Sequence, residues 1–209
     1  MITFLAVLIR ILSNSMSNVF QKQLTQEAIK PYVINFLTYL GLSLFCLPLA
    51  IGRDFGFGID VWQNAILGGL CGALGNNYLI KALENGELSV LGPINAYKSV
   101  VAMIIGIFLL KEIPSLTGVL AVALIIWGSY YVFDAAGEKF SFSLLKKTAI
   151  RYRIYALVFT AIEAVFIKNV VLHSDVEIAF YFWCWFGAAF SFLNVIKHRE
   201  KLPHFSVNT

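Results

Sequence analysis

Between Leu88 and Tyr131 the chain reads LSVLGPINAYKSVVAMIIGIFLLKEIPSLTGVLAVALIIWGSYY, two apolar runs parted only by Lys111-Glu112-Ile113-Pro114. Each run, 89–110 and 115–133, is close to the ~20 residues a helix needs to cross the hydrocarbon of a bilayer. A helix keeps its backbone N–H and C=O groups paired within such a stretch, so the two runs predict a membrane hairpin. The first run also carries Pro93, Asn95 and Lys98, polar or helix-breaking groups that lipid tolerates only with a compensating partner. It therefore predicts a helix bordering a polar path.

Composition agrees with this reading. The 209 residues are 59% hydrophobic and 13% charged, with a mean hydropathy of +0.77, whereas soluble domains carry about a quarter charged residues. A water-soluble globule of this size has no room to hide so much apolar surface. The net charge of +4 comes from residues clustered at the ends of apolar runs. It reads as membrane orientation, and no nucleic-acid partner is expected. Cys46, Cys71 and Cys184 each lie inside an apolar segment and form no CxxC pair, which indicates neither a disulfide framework nor a zinc site. The apolar stretch 1–12 has no basic residues before it and runs on into polar ones, so it is read as a first span rather than a removed signal peptide.

The expected fold class is an all-α membrane protein of about seven transmembrane helices, near 2–21, 32–51, 61–81, 89–110, 115–133, 155–172 and 178–196. Shifting the chain by 146 positions lays Val19-Phe20-Gln21-Lys22 on Val165-Phe166-Ile167-Lys168 and Gly41 on Gly187. Similarity at a fixed offset suggests duplication. Five helices in the first copy would leave the second upside down, giving inverted repeats. The expected division is a five-helix repeat at 1–134, a basic linker at 135–153, two helices of an incomplete second repeat at 154–197, and a polar tail at 198–209. With these spans one side collects Lys22, Lys30, Lys81, Lys139, Lys146, Lys147, Arg151, Arg153, Lys197, Arg199 and Lys201, and the other Arg53, Lys111 and Lys168. The basic side is expected to be cytoplasmic, with Met1 outside.

Polar groups inside the spans are the candidate site. The first helix carries Arg10, Ser13, Asn14, Ser17 and Asn18, a strip at helical spacing that suits either helix pairing or a wet cavity. Gly68-Gly69 and Gly72 to Gly75 let a neighbouring helix approach, and Asn76 and Asn77 follow directly. Lys98 lies near the middle of its span, where an unpaired ammonium costs at least ~2.5–3.5 kcal/mol to insert. Glu163 is the acidic residue of comparable depth. The two are expected to face one cavity, with Asn14, Asn18, Asn76, Asn77 and Asn95, as a group coupling proton movement to substrate binding, as a structural ion pair, or with Lys98 snorkelling along its stem. Pro93, after Gly92 near the start of its helix, is expected to break or kink the first turns and free backbone carbonyls toward the cavity. Glu112 reads as a cap or interfacial charge. No HExxH, GxSxG, P-loop or GxGxxG is present, so neither an enzyme nor a cofactor or metal is expected.

These features together resemble the drug/metabolite transporter superfamily, in particular EamA-like ten-helix transporters built from two five-helix repeats. The resemblance is carried by the two segments ending in Lys22 and Lys168, by Leu91-Gly92-Pro93, by Phe108-Leu109-Leu110-Lys111-Glu112-Ile113-Pro114, and by Gly118 with Leu124-Ile125-Ile126-Trp127-Gly128. It implies movement of a small metabolite or drug-like compound through a central cavity by alternating access without ATP. Lys22, Pro93, Glu112 and Lys168 would be family-motif positions. The expected setting is the lipid bilayer of a bacterial inner membrane, with an unknown small-molecule substrate and a second copy or second half-transporter as partner. The rival expectation is a truncated, non-transporting membrane protein that acts at most as an interaction partner.

Overall fold

The computed structural model describes residues 2–111, 113–135 and 146–198. Glu112, most of the expected linker and all but the first residue of the expected tail lie outside the described residues. Among the described residues eight helices follow one another: α1 (Ile2–Gln26), α2 (Pro31–Leu49), α3 (Ile59–Asn85), α4 (Leu88–Ala96), α5 (Lys98–Leu110), α6 (Leu116–Ala135), α7 (Thr148–His173) and α8 (Val176–Lys197). Among the described residues there is no strand. The protein is an all-α membrane protein.

Local chemistry sets several helix ends. Pro31 opens α2, where its missing N–H would be unpaired anyway. Asp175 caps α8 by accepting from the Ile178 N–H at 2.8 Å. Lys111 adopts the left-handed conformation that ends α5, at φ 52°.

Two boundaries differ from the expectation. The run 89–110 is not one helix but breaks at Tyr97, whose N–H turns to the carbonyls of Ile94 and Asn95. Pro93 lies four residues earlier, but its missing N–H deprives the Ser89 carbonyl of a partner rather than the Tyr97 N–H, so the break at Tyr97 is a local 3₁₀ tightening that Pro93 does not itself impose. The second difference is that α7 begins at Thr148, inside the stretch expected to be linker. Arg153 is therefore a buried helical residue and not an interfacial charge.

Among the described residues four helical stretches are long and apolar enough to cross a membrane: Pro31–Leu49, Leu88–Phe108, Thr148–His173 and Val176–Lys197. A shorter apolar stretch covers Leu116–Ser129. α1 and α3 are as long, with 25 and 27 residues, or about 37 and 40 Å at 1.5 Å per residue. α1 carries a polar strip and α3 a run of glycines and asparagines, which lower hydropathy without shortening the rod.

α3 is the centre of the bundle, packed along α7 and α8, with α2 against α8 and α5 against α7. At Gly69 a Cβ would collide with the Phe186 side chain and stand 3.1 Å from the Phe186 carbonyl carbon. Only a residue without a side chain admits α8 so closely. One buried cluster lies toward the Arg53 end, where Trp62, Phe182, Trp185 and Phe186 gather around Cys46, Val61 and Ala65, and two smaller ones lie toward the basic end, around Ile94, Ile150 and Leu157 and around Leu83, Leu91 and Ala149. α1 and α6 are peripheral, and from Phe4 to Leu12 and from Leu116 to Leu124 large apolar side chains stand exposed, as a lipid-facing surface requires.

Candidate functional site: a polar cavity between α1, α3, α5 and α7

Both ends of the bundle are tied. At the basic end Lys22 donates to the Gly86 carbonyl, fixing α1 to the turn between α3 and α4. Lys81 donates to the Tyr32 hydroxyl at 2.7 Å and lies 4.3 Å from the centre of that ring, a cation–π contact. The other face of the same end is closed by the Tyr32–His198 stack, at 4.0 Å. At the opposite end Arg53 pairs with Glu177 and lies 3.9 Å from Asp175, and the Tyr181 hydroxyl donates to the Leu49 carbonyl.

Between these ends lies a cavity of about 490 Å³, a size ordinary for small-molecule sites, which span about 300–1,000 Å³. Asn14 and Asn18 reach it from α1, Asn76 from α3, Asn95 from α4, Lys98 from α5 and Glu163 from α7. The break at Tyr97 thus sets Asn95 and Lys98 on either side of an interruption, both toward the same space. Lys98 and Glu163 attract each other across it without forming a contact ion pair among the described residues. Asn77, expected with them, is not in the lining; it is buried with its Oδ1 unpaired. Of the motif residues, Lys22 ties helices at the basic end, Pro93 precedes the break, and Lys168 is exposed near the end of α7.

Glycine at position 72 leaves room for the polar floor. A Cβ there would stand 2.8 Å from Trp183 Nε1, 3.0 Å from the Tyr39 hydroxyl and 3.3 Å from the Glu163 carboxyl carbon. The Trp183 N–H is turned toward that carboxyl without completing a hydrogen bond to it. Tyr39 meets Trp183 edge to face, 5.1 Å between centroids. Asn76 is held in place because its Nδ2 donates to Asn35 Oδ1 at 2.8 Å. Asn35 in turn donates to the Ala73 carbonyl at 2.9 Å and to the Ser191 hydroxyl at 3.1 Å.

Several lining groups were not among the expected site residues. Arg10, part of the polar strip of α1, is one of them. Tyr39, Arg153, Thr160 and Trp183 also reach the cavity. On α7 the lining residues Arg153, Ala156, Leu157, Thr160 and Glu163 recur at three- and four-residue steps, a helical face readable in the sequence once α7 is started early enough. Arg153 Nε donates to the Leu91 carbonyl at 3.3 Å, tying α7 to α4. Among the described residues no group of three His, Cys, Asp or Glu side chains is placed to hold a metal ion.

The bundle is that of a multi-pass helical membrane protein with a polar hollow between its helices. The family follows from comparison: residues 1–134 match the EamA-like transporter family, and the chain belongs to it. Comparisons with curated proteins and with solved structures return no match.

Proposed function

We propose that this chain carries a small metabolite or drug-like compound across a membrane by alternating access, without ATP, through the cavity between α1, α3, α5 and α7. The observation that carries the reading is that Lys98 and Glu163, from different helices, border one hollow with Asn14, Asn18, Asn76 and Asn95. Charged groups at that depth are expensive unless they serve a partner or a solute.

Inverted repeats supply the means of alternation. Lys22 and Lys168 sit near the ends of α1 and α7, and Gly41 and Gly187 midway along α2 and α8. The paired helices run in opposite directions, because the ends of α1 and α8 and the starts of α2 and α7 share the basic end. This supports a second repeat beginning with α7. By the positive-inside rule the basic end faces the cytoplasm, and we read the membrane as a bacterial cell membrane. Association with a second copy or a second half-transporter is part of the reading, and crosslinking in membranes tests it.

The direct test is uptake of a broad metabolite panel by proteoliposomes without nucleotide. Saturable uptake of at least one compound, abolished in Asn76→Leu and Glu163→Leu variants that remain folded, is the expected result. Uptake unaffected by both substitutions would remove the cavity from the path.

A further inference from the structure

The charges around the cavity do not balance. Among the described residues Arg10, Lys98 and Arg153 border it, against the single carboxylate of Glu163. Lys98 feels the attraction of Glu163 and the repulsion of both Arg10 and Arg153, so the four groups share one electrostatic environment. Among the described residues Lys98 has no hydrogen bond and no ion pair. Arg153 is buried and partly satisfied by the Leu91 carbonyl. Among the described residues the lining thus carries two positive charges in excess; Lys98 and Arg153 lie within the bundle, where charge is poorly screened, while Arg10 is exposed on α1.

Backbone geometry adds to the imbalance. Lys98 is the first residue of α5, directly after the break at Tyr97. Interrupted membrane helices present the positive end of a half-helix dipole to anionic groups in this way. A cationic solute would meet net repulsion, and a neutral one would leave the excess charge uncompensated. An anion removes it.

Resting on the transporter reading, we propose that the cavity takes a small organic anion, its carboxylate or phosphate held by Lys98 and Arg10. Asn76, Asn95 and Thr160 face the same space with neutral donors and acceptors, suited to hydroxyl or amide groups on the rest of the solute. Arg153 stays with Leu91 and supplies field rather than contact.

The experiment uses the full chain in lipid nanodiscs and in proteoliposomes, with four probes: succinate, glycerol 3-phosphate, glycerol and tetraphenylphosphonium. Saturable binding of succinate or of glycerol 3-phosphate is expected, and whichever binds distinguishes carboxylate from phosphate. Lys98→Gln and Arg10→Gln should each weaken it about ten-fold or more, as loss of a charge-assisted contact does. Lys98→Arg should keep most of it, which separates a charge requirement from a folding defect. Failure of both anions to bind, or binding unchanged in both glutamine variants, would overturn the assignment. Uptake of glycerol or tetraphenylphosphonium alone would also overturn it while leaving the transporter reading intact. Anion binding with no movement across the bilayer would support the site and count against transport.

Discussion

Replacing Asn35 with leucine probes how the cavity wall is held. Asn35 is fully buried in α2 and makes three contacts between helices. It donates to the Ala73 carbonyl on α3 at 2.9 Å and to the Ser191 hydroxyl on α8 at 3.1 Å, and accepts from Asn76 at 2.8 Å. Leucine keeps the volume and removes all three. Interhelical hydrogen bonds in membrane proteins are worth about 0.6 kcal/mol on average and at most about 1.7, so the expected loss is about 2 kcal/mol. Asn76→Ala breaks only one of them and should cost about 0.6 kcal/mol by the same measure. Unfolding in bicelles or by steric trapping reads both values. The double variant should cost less than the two single losses together, because they share one bond. An Asn35→Leu protein as stable as the unsubstituted chain, or a strictly additive double variant, would refute this network.

Three further outcomes follow from the geometry. Gly69→Ala puts a Cβ into Phe186, so α8 must retreat from α3; a loss of about 1–3 kcal/mol is expected for such overpacking, and an unchanged melting temperature would refute the close approach. Arg53→Ala breaks a pairing with Glu177 in which both side chains are well exposed, so stability should move by no more than about 1 kcal/mol; a larger loss would show that this end is held mainly by the charge pair. Cysteines placed at Lys30 and at Asp54 should label from opposite faces of the membrane, Lys30 from the cytoplasm. Labelling of both from one face would contradict the arrangement in which α2 separates them.

Helices were the part of this fold most open to reading from the sequence, since lipid-length apolar runs leave the backbone few alternatives. Lys98 and Glu163 were legible for a related reason: charge deep in a span requires an explanation, and both border the same cavity. What escaped was set by tertiary contact. Arg153 looked interfacial because its helix was started seven residues too late, at 155 rather than Thr148. Asn35 gave only the signal of one amide in an apolar helix, and its importance depends on where α3 and α8 happen to pass. Tyr39 and Trp183 are aromatic residues among many; their polar atoms matter because Gly72 leaves room for them beside Glu163. Asn76 and Asn77 are neighbours in sequence, yet a helix turns consecutive side chains about 100° apart, and only Asn76 lines the hollow.

Whether water reaches mid-membrane through this bundle is decided most directly by cysteine accessibility in intact membranes. In a background with Cys46, Cys71 and Cys184 replaced by alanine, single cysteines at Asn14 and Asn95 in the lining should react with a membrane-impermeant thiol reagent. Cysteines at the exposed apolar positions Leu120 and Leu124 of α6 should not. Asn14 and Asn95 variants as silent as those on α6 would mean that no aqueous cavity exists there, and the transport mechanism would lose its path.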